Sequence, residues 1–203
     1  MSKTRAIQLG AAALAAAGAL SACSGGTDVG SIPPATSGAA ASSSSAEQLA
    51  PRVPSPLPTD ALVTNPCTGA LSVDQVYKQG LNSPGTPRQN QQTGPSCTWK
   101  SAAYDVNSVS ITAVTPNKNG LSDIYANKPK DKYFEPTTIA GYPAVYADVQ
   151  DGRSDGECSL WVGVTDQLAV YVLTQLGAGP NKSNPCPVAE RVATAMVQHL
   201  QGS

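Results

Sequence analysis

The clearest alternation of apolar and polar residues lies near the middle of the chain. Val109, Ile111 and Ala113 alternate with serine and threonine, which is typical of a strand with one buried face. We therefore predict a strand over residues 106–115 that forms a β-hairpin with residues 97–102. Residues 137–139 and 143–149 predict a second hairpin.

Two later segments are apolar at successive positions. Residues 158–165 and 168–176 predict a third hairpin, with its turn at residues 166–167. Because the side chains are apolar on both faces of these strands, they favour a central position in a sheet that is covered on both sides.

Helical periodicity is strongest at the end of the chain, where Pro187 suits the first turn of a helix. The helix has one apolar stripe, formed by Ala189, Val192, Ala193, Met196, Val197 and Leu200. A short helix is predicted over 71–79, with Ser72 as its N-cap, and one or two turns over 121–127. The pattern predicts an α+β fold: a mostly antiparallel sheet of about six strands in hairpin pairs, with a short N-terminal helix and the amphipathic C-terminal helix packed on it.

The first 22 residues have the pattern of an export signal. Lys3 and Arg5 precede an uncharged apolar run over 6–20, and a Leu-Ser-Ala-Cys sequence ends at Cys23. The run is shorter than the stretch of about 20 residues that spans a bilayer. We predict a lipoprotein signal peptide over 1–22 and a diacylglyceryl group on the Cys23 thiol. An uncleaved anchor and a secreted protein without lipid are the alternatives.

The segment after Cys23 is rich in Ser, Ala, Gly, Thr and Pro. Such a composition buries too little apolar surface to offset the entropy of ordering. Residues 23–61 are therefore predicted to be the lipidated cysteine and a disordered tether, and residues 62–203 a single globular domain. Removal of the signal peptide leaves 11 basic and 14 acidic side chains, a net charge of −3, which does not favour binding to nucleic acid.

Four cysteines lie in the predicted domain: Cys67, Cys97, Cys158 and Cys186. An even number in an exported domain predicts two disulfides, whereas zinc sites have closer cysteine pairs. Because residue 186 follows the third hairpin after ten residues, a short loop brings it back to Cys158. We therefore expect Cys158–Cys186, and Cys67–Cys97 with a weaker argument. One pair that stays reduced is the alternative.

Candidate catalytic residues are few. His199 is the sole histidine and lies on the polar side of the last helix, where it is expected to be a solvated cation. No SxxK, HExxH or P-loop pattern occurs. Asp148, Asp151, Asp155 and Glu157 crowd one loop, but their spacing does not match a calcium loop. We expect no enzyme activity, no metal and no cofactor.

Two further features concern binding. A basic and aromatic patch is formed by Lys128, Lys130, Lys132, Tyr133 and Phe134. This patch suits anionic lipids or wall polymers, and an exposed loop whose lysines prevent aggregation is the alternative. Trp99 and Trp161 are predicted to be core residues rather than ligand platforms.

Four motifs follow one another in the predicted domain: Asn65-Pro66-Cys67, Cys97-Thr98-Trp99, Gly141-Tyr142-Pro143-Ala144-Val145 before Cys158, and the eight residues from Cys186 to Ala193. With the export signal and the tether, the chain resembles the actinobacterial lipoprotein family known as domain of unknown function 3558, over about 65–200. The resemblance implies an envelope lipoprotein of actinobacteria and implies no catalytic residue.

The expected function is a binding or accessory module on the extracytoplasmic face of the cell membrane, held there through Cys23. Its expected partner is a wall component, a lipid or a protein, and a purely structural envelope role is not separable from this by sequence. An extracytoplasmic enzyme with an unrecognised active site is the alternative.

Overall fold

One seven-stranded sheet organises the part of the chain that the structure describes. The computed structural model describes residues 48–202. The strands are β1 (Thr86–Arg88), β2 (Ser96–Lys100), β3 (Ser108–Ala113), β4 (Tyr133–Ile139), β5 (Tyr142–Asp148), β6 (Glu157–Gly163) and β7 (Ala169–Gln175). Their order is β1-β2-β3-β7-β6-β5-β4, and all neighbouring strands are antiparallel. The predicted α+β class and the three hairpins are confirmed.

Strand β1 was not predicted, because residues 82–95 show no alternation of apolar and polar residues. Its three residues are all exposed, so none of them needs to be apolar and no alternating pattern arises. Pro87 stands in its middle, opposite Cys97. A proline has no N–H to donate to a neighbouring strand, and is therefore tolerated at the edge of a sheet.

The helices are α1 (Asp60–Thr64), α2 (Pro66–Ala70), α3 (Val73–Lys78), α4 (Leu121–Tyr125) and α5 (Cys186–Leu200). Helix α3 begins with a capping box: the Ser72 hydroxyl accepts from the Gln75 N–H, and the Gln75 side chain accepts from the Ser72 N–H. The predictions for α3, α4 and α5 are confirmed. Helices α1 and α2 have five residues each, too few for a helical period to show.

Helix α5 and the central strands β7 and β6 form the main core. The apolar stripe of α5 is buried, as are Leu160 and Val162 of β6 and Val170 and Val172 of β7. A disulfide between Cys158 and Cys186 joins the start of β6 to the start of α5. This is the predicted pairing, and the second disulfide, Cys67–Cys97, joins α2 to β2.

The central position of β6 and β7 is confirmed, but their expected burial on both faces is wrong. The inner face, which packs on α5, is fully buried. On the outer face, Trp161, Tyr171 and Leu173 are half-buried. Helix α4 packs on this outer face toward β5, where it forms a second apolar cluster that includes Val145 and Ala147. The outer face of β6 and β7 is therefore covered in part.

The boundary of the predicted tether is wrong, because residues 48–59 lie on the sheet. We call this segment the strap. Ala50 and Leu57 are buried, and the Leu57 N–H donates to the Val164 carbonyl at 2.9 Å. The Val53 N–H donates to the Asp166 carboxylate at 3.0 Å. Prolines lower the entropy lost on ordering such an extended segment, so a few buried apolar side chains are enough to hold it.

The features predicted for the beginning of the chain stay predictions. The signal peptide over 1–22, Cys23 and the tether over 24–47 lie outside the described residues. Among residues 48–202, none of the helices has the length and hydropathy needed to cross a membrane.

The packing of the strap predicts that two of its leucines contribute differently to the free energy of unfolding. Leu57 is 7% exposed and Leu49 is 43% exposed. Leu57→Ala should lower the free energy of unfolding by about 2–4 kcal/mol, because the substitution leaves a cavity. Leu49→Ala should change it by less than about 0.5 kcal/mol. Urea unfolding measures both, and equal midpoints for the two variants would contradict a packed strap.

Candidate functional site

The outer face of the sheet carries an ordered row of polar and aromatic side chains. Ser96, Thr112, Tyr171 and Trp161 are consecutive partners across β2, β3, β7 and β6. All four are half-buried. They alternate along their strands with fully buried residues that face the core, as the two-residue period of a strand requires. We call this row the aromatic face.

A neighbouring row of the same face consists of Thr98, Ser110, Leu173 and Ser159. The Thr98 and Ser110 hydroxyls are 2.8 Å apart and hydrogen-bond each other. Neither row contains a charged residue. The two rows together present hydroxyl groups beside one aromatic pair.

The aromatic pair is held in a fixed orientation. The rings of Trp161 and Tyr171 stack with centroids 4.3 Å apart and planes at 25°. The Trp161 indole N–H donates to the Ala147 carbonyl at 2.9 Å. The stack and the hydrogen bond restrain both rings, so little side-chain entropy remains to be lost when a ligand binds.

The hydroxyl of Tyr171 belongs to a chain of short hydrogen bonds. It lies 2.7 Å from the Ser159 Oγ, and the Ser159 hydroxyl donates to the Asp148 carboxylate at 2.5 Å. Because Ser159 gives its proton to Asp148, Tyr171 is the donor toward Ser159. Burial raises the pKa of Tyr171 to about 12, so this donor stays protonated at neutral pH.

A cavity of about 320 Å³ lies next to Trp161, between α4 and the sheet. Trp161, Ile124 and Ala147 form part of its apolar wall, and its polar lining is Asn117, Asn127, Asp131 and Asp148. Burial and the charge of nearby Asp148 raise the pKa of Asp131. Amide and carboxylate oxygens thus converge beside an aromatic ring, which is the usual composition of a site for a polar small ligand.

A second cavity, of about 200 Å³, lies between the β2–β3 turn and the first half of α5. Its floor is mostly apolar, and Arg191 is at its wall. The buried Asn107 side chain beside it is already paired on both sides, because it donates to the Ala178 carbonyl and accepts from the Ala178 N–H. This cavity therefore offers fewer free polar groups than the one beside Trp161.

The acidic loop and His199 do not form a site with each other. His199 Nε2 lies 2.9 Å from the Thr68 carbonyl and connects α5 to α2. Asp151 pairs with Arg153 at 2.7 Å, and the hydrogen bonds from Arg153 lower the pKa of Asp151 to about 2. Within residues 48–202, no group of three or more His, Cys, Asp or Glu is arranged to hold a metal ion.

The two tryptophans differ, although the sequence predicts the same role for both. Trp99 is buried in the core on the inner face, as predicted. Trp161 lies on the outer face, half-buried and packed against the second apolar cluster, so its prediction as a core residue holds only in part. Sequence reasoning missed Tyr171 because it stands in an apolar strand. Its polar ring among valine and leucine was the signal that could have marked it.

The comparisons with known proteins identify a family. The fold and the site are those of an α+β domain with a half-buried polar and aromatic face on its sheet. The sequence profile of the family described as "Protein of unknown function (DUF3558)" matches residues 18–199, and the chain therefore belongs to this family. No curated protein and no solved structure matches the chain.

The raised pKa of Tyr171 predicts a pH dependence of stability. The folded state keeps the phenolic proton up to about pH 12, whereas an unfolded tyrosine loses it near pH 10. The contribution of Tyr171 is therefore complete below about pH 10 and is lost as the pH rises toward 12. Its slope is at most about 1.4 kcal/mol per pH unit.

Tyr171→Phe should remove this contribution, so its free energy of unfolding should fall less steeply between pH 10 and about 12 than that of the unchanged chain. Urea unfolding at several pH values measures the difference. Tyr77→Phe is the control, because Tyr77 is 61% exposed. Parallel pH profiles for the Tyr171 variant and the unchanged chain would contradict the burial of the Tyr171 phenol.

Proposed function

We propose that this protein is a lipid-anchored envelope protein that binds a neutral glycan of the cell wall on its aromatic face. The observation that carries the proposal is the restrained Trp161–Tyr171 stack, which is half-buried on the outer face of the sheet. Sugar rings offer flat C–H faces to aromatic rings and hydroxyl groups at their edges. The aromatic face offers both complements, since serine and threonine hydroxyls flank the stack.

The charges near the stack favour a neutral glycan over an anionic polymer or an anionic lipid at this site. Asp131 and Asp148 line the cavity beside Trp161, and like charges that face each other oppose binding. The polar lining also argues against an acyl chain, because an alkyl tail would leave the carboxylates and amides without partners. A glycan hydroxyl donates to a carboxylate and accepts from an amide.

A protein partner is the weaker alternative for this face. Stable protein interfaces bury about 800 Å² on each partner and centre on large apolar or aromatic anchors. Apart from the aromatic pair, Leu173 is the apolar residue of the two rows, and the others carry hydroxyl groups.

Binding rather than catalysis is proposed because the best candidate nucleophile is enclosed. Ser159 lies beside a carboxylate, but it is 2% exposed. Its hydroxyl already donates to Asp148 and faces Tyr171. A substrate carbonyl would need to displace both partners, so we assign the three groups to the positioning of Tyr171. An enzyme with another active site remains the second candidate.

The proposed anchor rests on the sequence around Cys23. The basic residues, the apolar run and the Leu-Ser-Ala-Cys sequence together support lipidation at this cysteine. Residues 24–47 separate Cys23 from the strap. Even fully extended, these 24 residues reach at most about 85 Å, so the aromatic face would stay within the envelope.

Binding to wall glycan tests the aromatic face. The chain should sediment with the insoluble neutral polysaccharide of purified cell walls and bind its soluble oligosaccharide fragments. Trp161→Ala should weaken that binding by about tenfold, because a stacked ring contributes on the order of 1.4 kcal/mol. Tyr77→Ala is the matched control, since Tyr77 is exposed on α3, away from the site.

Equal glycan binding by the Trp161 and Tyr77 variants would contradict the proposal, provided that circular dichroism shows both variants to be folded. Specific capture of a protein, or binding of an acyl lipid that Trp161→Ala abolishes, would instead identify the partner class. Release of shorter glycan fragments on incubation would favour the enzyme.

Fractionation tests the anchor. The unchanged chain should occur in the membrane fraction with a mass increased by lipid on residue 23. Cys23→Ser should be released or remain as an unprocessed precursor, because the thiol is the site of lipid attachment. A processed Cys23→Ser chain that stays in the membrane fraction would contradict the lipid anchor.

A further inference from the structure

We propose that a turn with three lysines docks the anchored domain on an anionic phospholipid surface. The turn is formed by Lys128, Lys130 and Lys132, and we call it the basic turn. This inference rests on the proposed lipid anchor, and it concerns the surface next to the cavity beside Trp161 rather than the aromatic face itself.

The basic turn concentrates positive charge in a short exposed segment. Residues 128–132 contain three of the 11 basic residues between 48 and 202, and all three lysines are exposed. Residues 128–130 form a 3₁₀ turn, held by hydrogen bonds from the Lys130 N–H to the Asn127 carbonyl and from the Asp131 N–H to the Lys128 carbonyl. The backbone that carries the lysines is therefore held in a defined conformation.

Apolar groups accompany the charges, as in segments that lie at a membrane interface. The Lys128 Nζ lies 5.2 Å above the Phe134 ring, whose centroid is 4.8 Å from that of Tyr125 in an edge-to-face contact. Val149 is 61% exposed and follows Asp148, whose carbonyl accepts from the Lys132 N–H. Lysine side chains can thus lie over apolar surface while their ammonium groups reach phosphates.

Two of the nearby carboxylates, Asp123 and Glu135, are paired with other groups, and Asp131 within the turn is half-buried while the three lysines are exposed. Asp131 and Asp148 line the cavity beside Trp161. Asp123 accepts from the backbone N–H groups of residues 118 and 119, and Glu135 pairs with Arg153 at 3.0 Å. The exposed charge of the basic turn is therefore complementary to an anionic surface.

The described part of the chain begins on α4, the helix that precedes the basic turn. The Gln48 side chain and the Ala50 N–H both lie 3.2 Å from the Ser122 Oγ of α4. Ser122 lies in α4, which ends at Tyr125, three residues before Lys128. The segment from Cys23 thus joins the domain beside the basic turn, after 24 residues.

The strength of such docking suits an anchored protein. One lysine near an anionic surface strengthens binding by about fivefold, so three give about 10²-fold. This is weak for a free protein in solution. An anchor raises the effective concentration of the surface to the order of millimolar, which makes the weak contact sufficient to orient the domain.

Vesicle binding tests the inference without the anchor. The probe protein is the chain from residue 23 with Cys23→Ser, mixed at low salt with vesicles of phosphatidylglycerol and phosphatidylcholine in equal parts. It should bind these more tightly than pure phosphatidylcholine vesicles. Lys128→Gln, Lys130→Gln and Lys132→Gln combined should weaken that binding by roughly 10²-fold. The control combines Lys78→Gln, Lys100→Gln and Lys182→Gln, three exposed lysines elsewhere, and should retain it.

Equal losses in the two triple variants would overturn the inference, because they would show a response to net charge alone. Equal binding to both kinds of vesicle would also overturn it. The result is separable from the proposed function, since the probe carries no lipid and Trp161→Ala should leave vesicle binding unchanged. A failure of glycan binding or of lipidation is therefore observed in other assays.

Discussion

The structure depends above all on the burial of one face of the two central strands against α5. Val162 and Val170 are fully buried, and so is Met196 of α5. The Cys158–Cys186 disulfide joins β6 and α5 where both begin, so the strand and the helix cannot slide past each other. Since side chains of a strand alternate between its faces, this burial decides which residues point the other way. Trp161 and Tyr171 are on the outer face for that reason.

The same constraint explains why the candidate site is preformed. A shift of one residue in register would bring Trp161 into the core and expose Val162, at a large cost in apolar burial. Hydrogen bonds of polar groups then orient the side chains on the outer face. The indole N–H reaches the Ala147 carbonyl, and Ser159 connects Tyr171 to Asp148. Core packing thus determines the position of the aromatic pair, and hydrogen bonds determine its orientation.

Much of the fold was predictable because its signals are local. The hairpins and α5 follow from periods of two and of 3.6 residues, and the cysteine pairing from short loops. The strap was missed because Leu57 stands among prolines in a segment whose average composition indicates disorder. The cavity beside Trp161 was not predictable, because it joins Asp131 to residues that lie far away in sequence. Such a site depends on the packing of α4 on the sheet, and neither element contains a motif for it.

We propose that the outer face of the sheet binds its ligand without rearrangement. Heteronuclear NMR during titration with soluble wall glycan tests it most directly. Shift changes should concentrate on the Trp161 indole N–H and on the backbone amides of Thr112 and Tyr171, with few changes in α5. Shift changes centred on Asn107 and Arg191 would place the ligand in the second cavity and contradict the account.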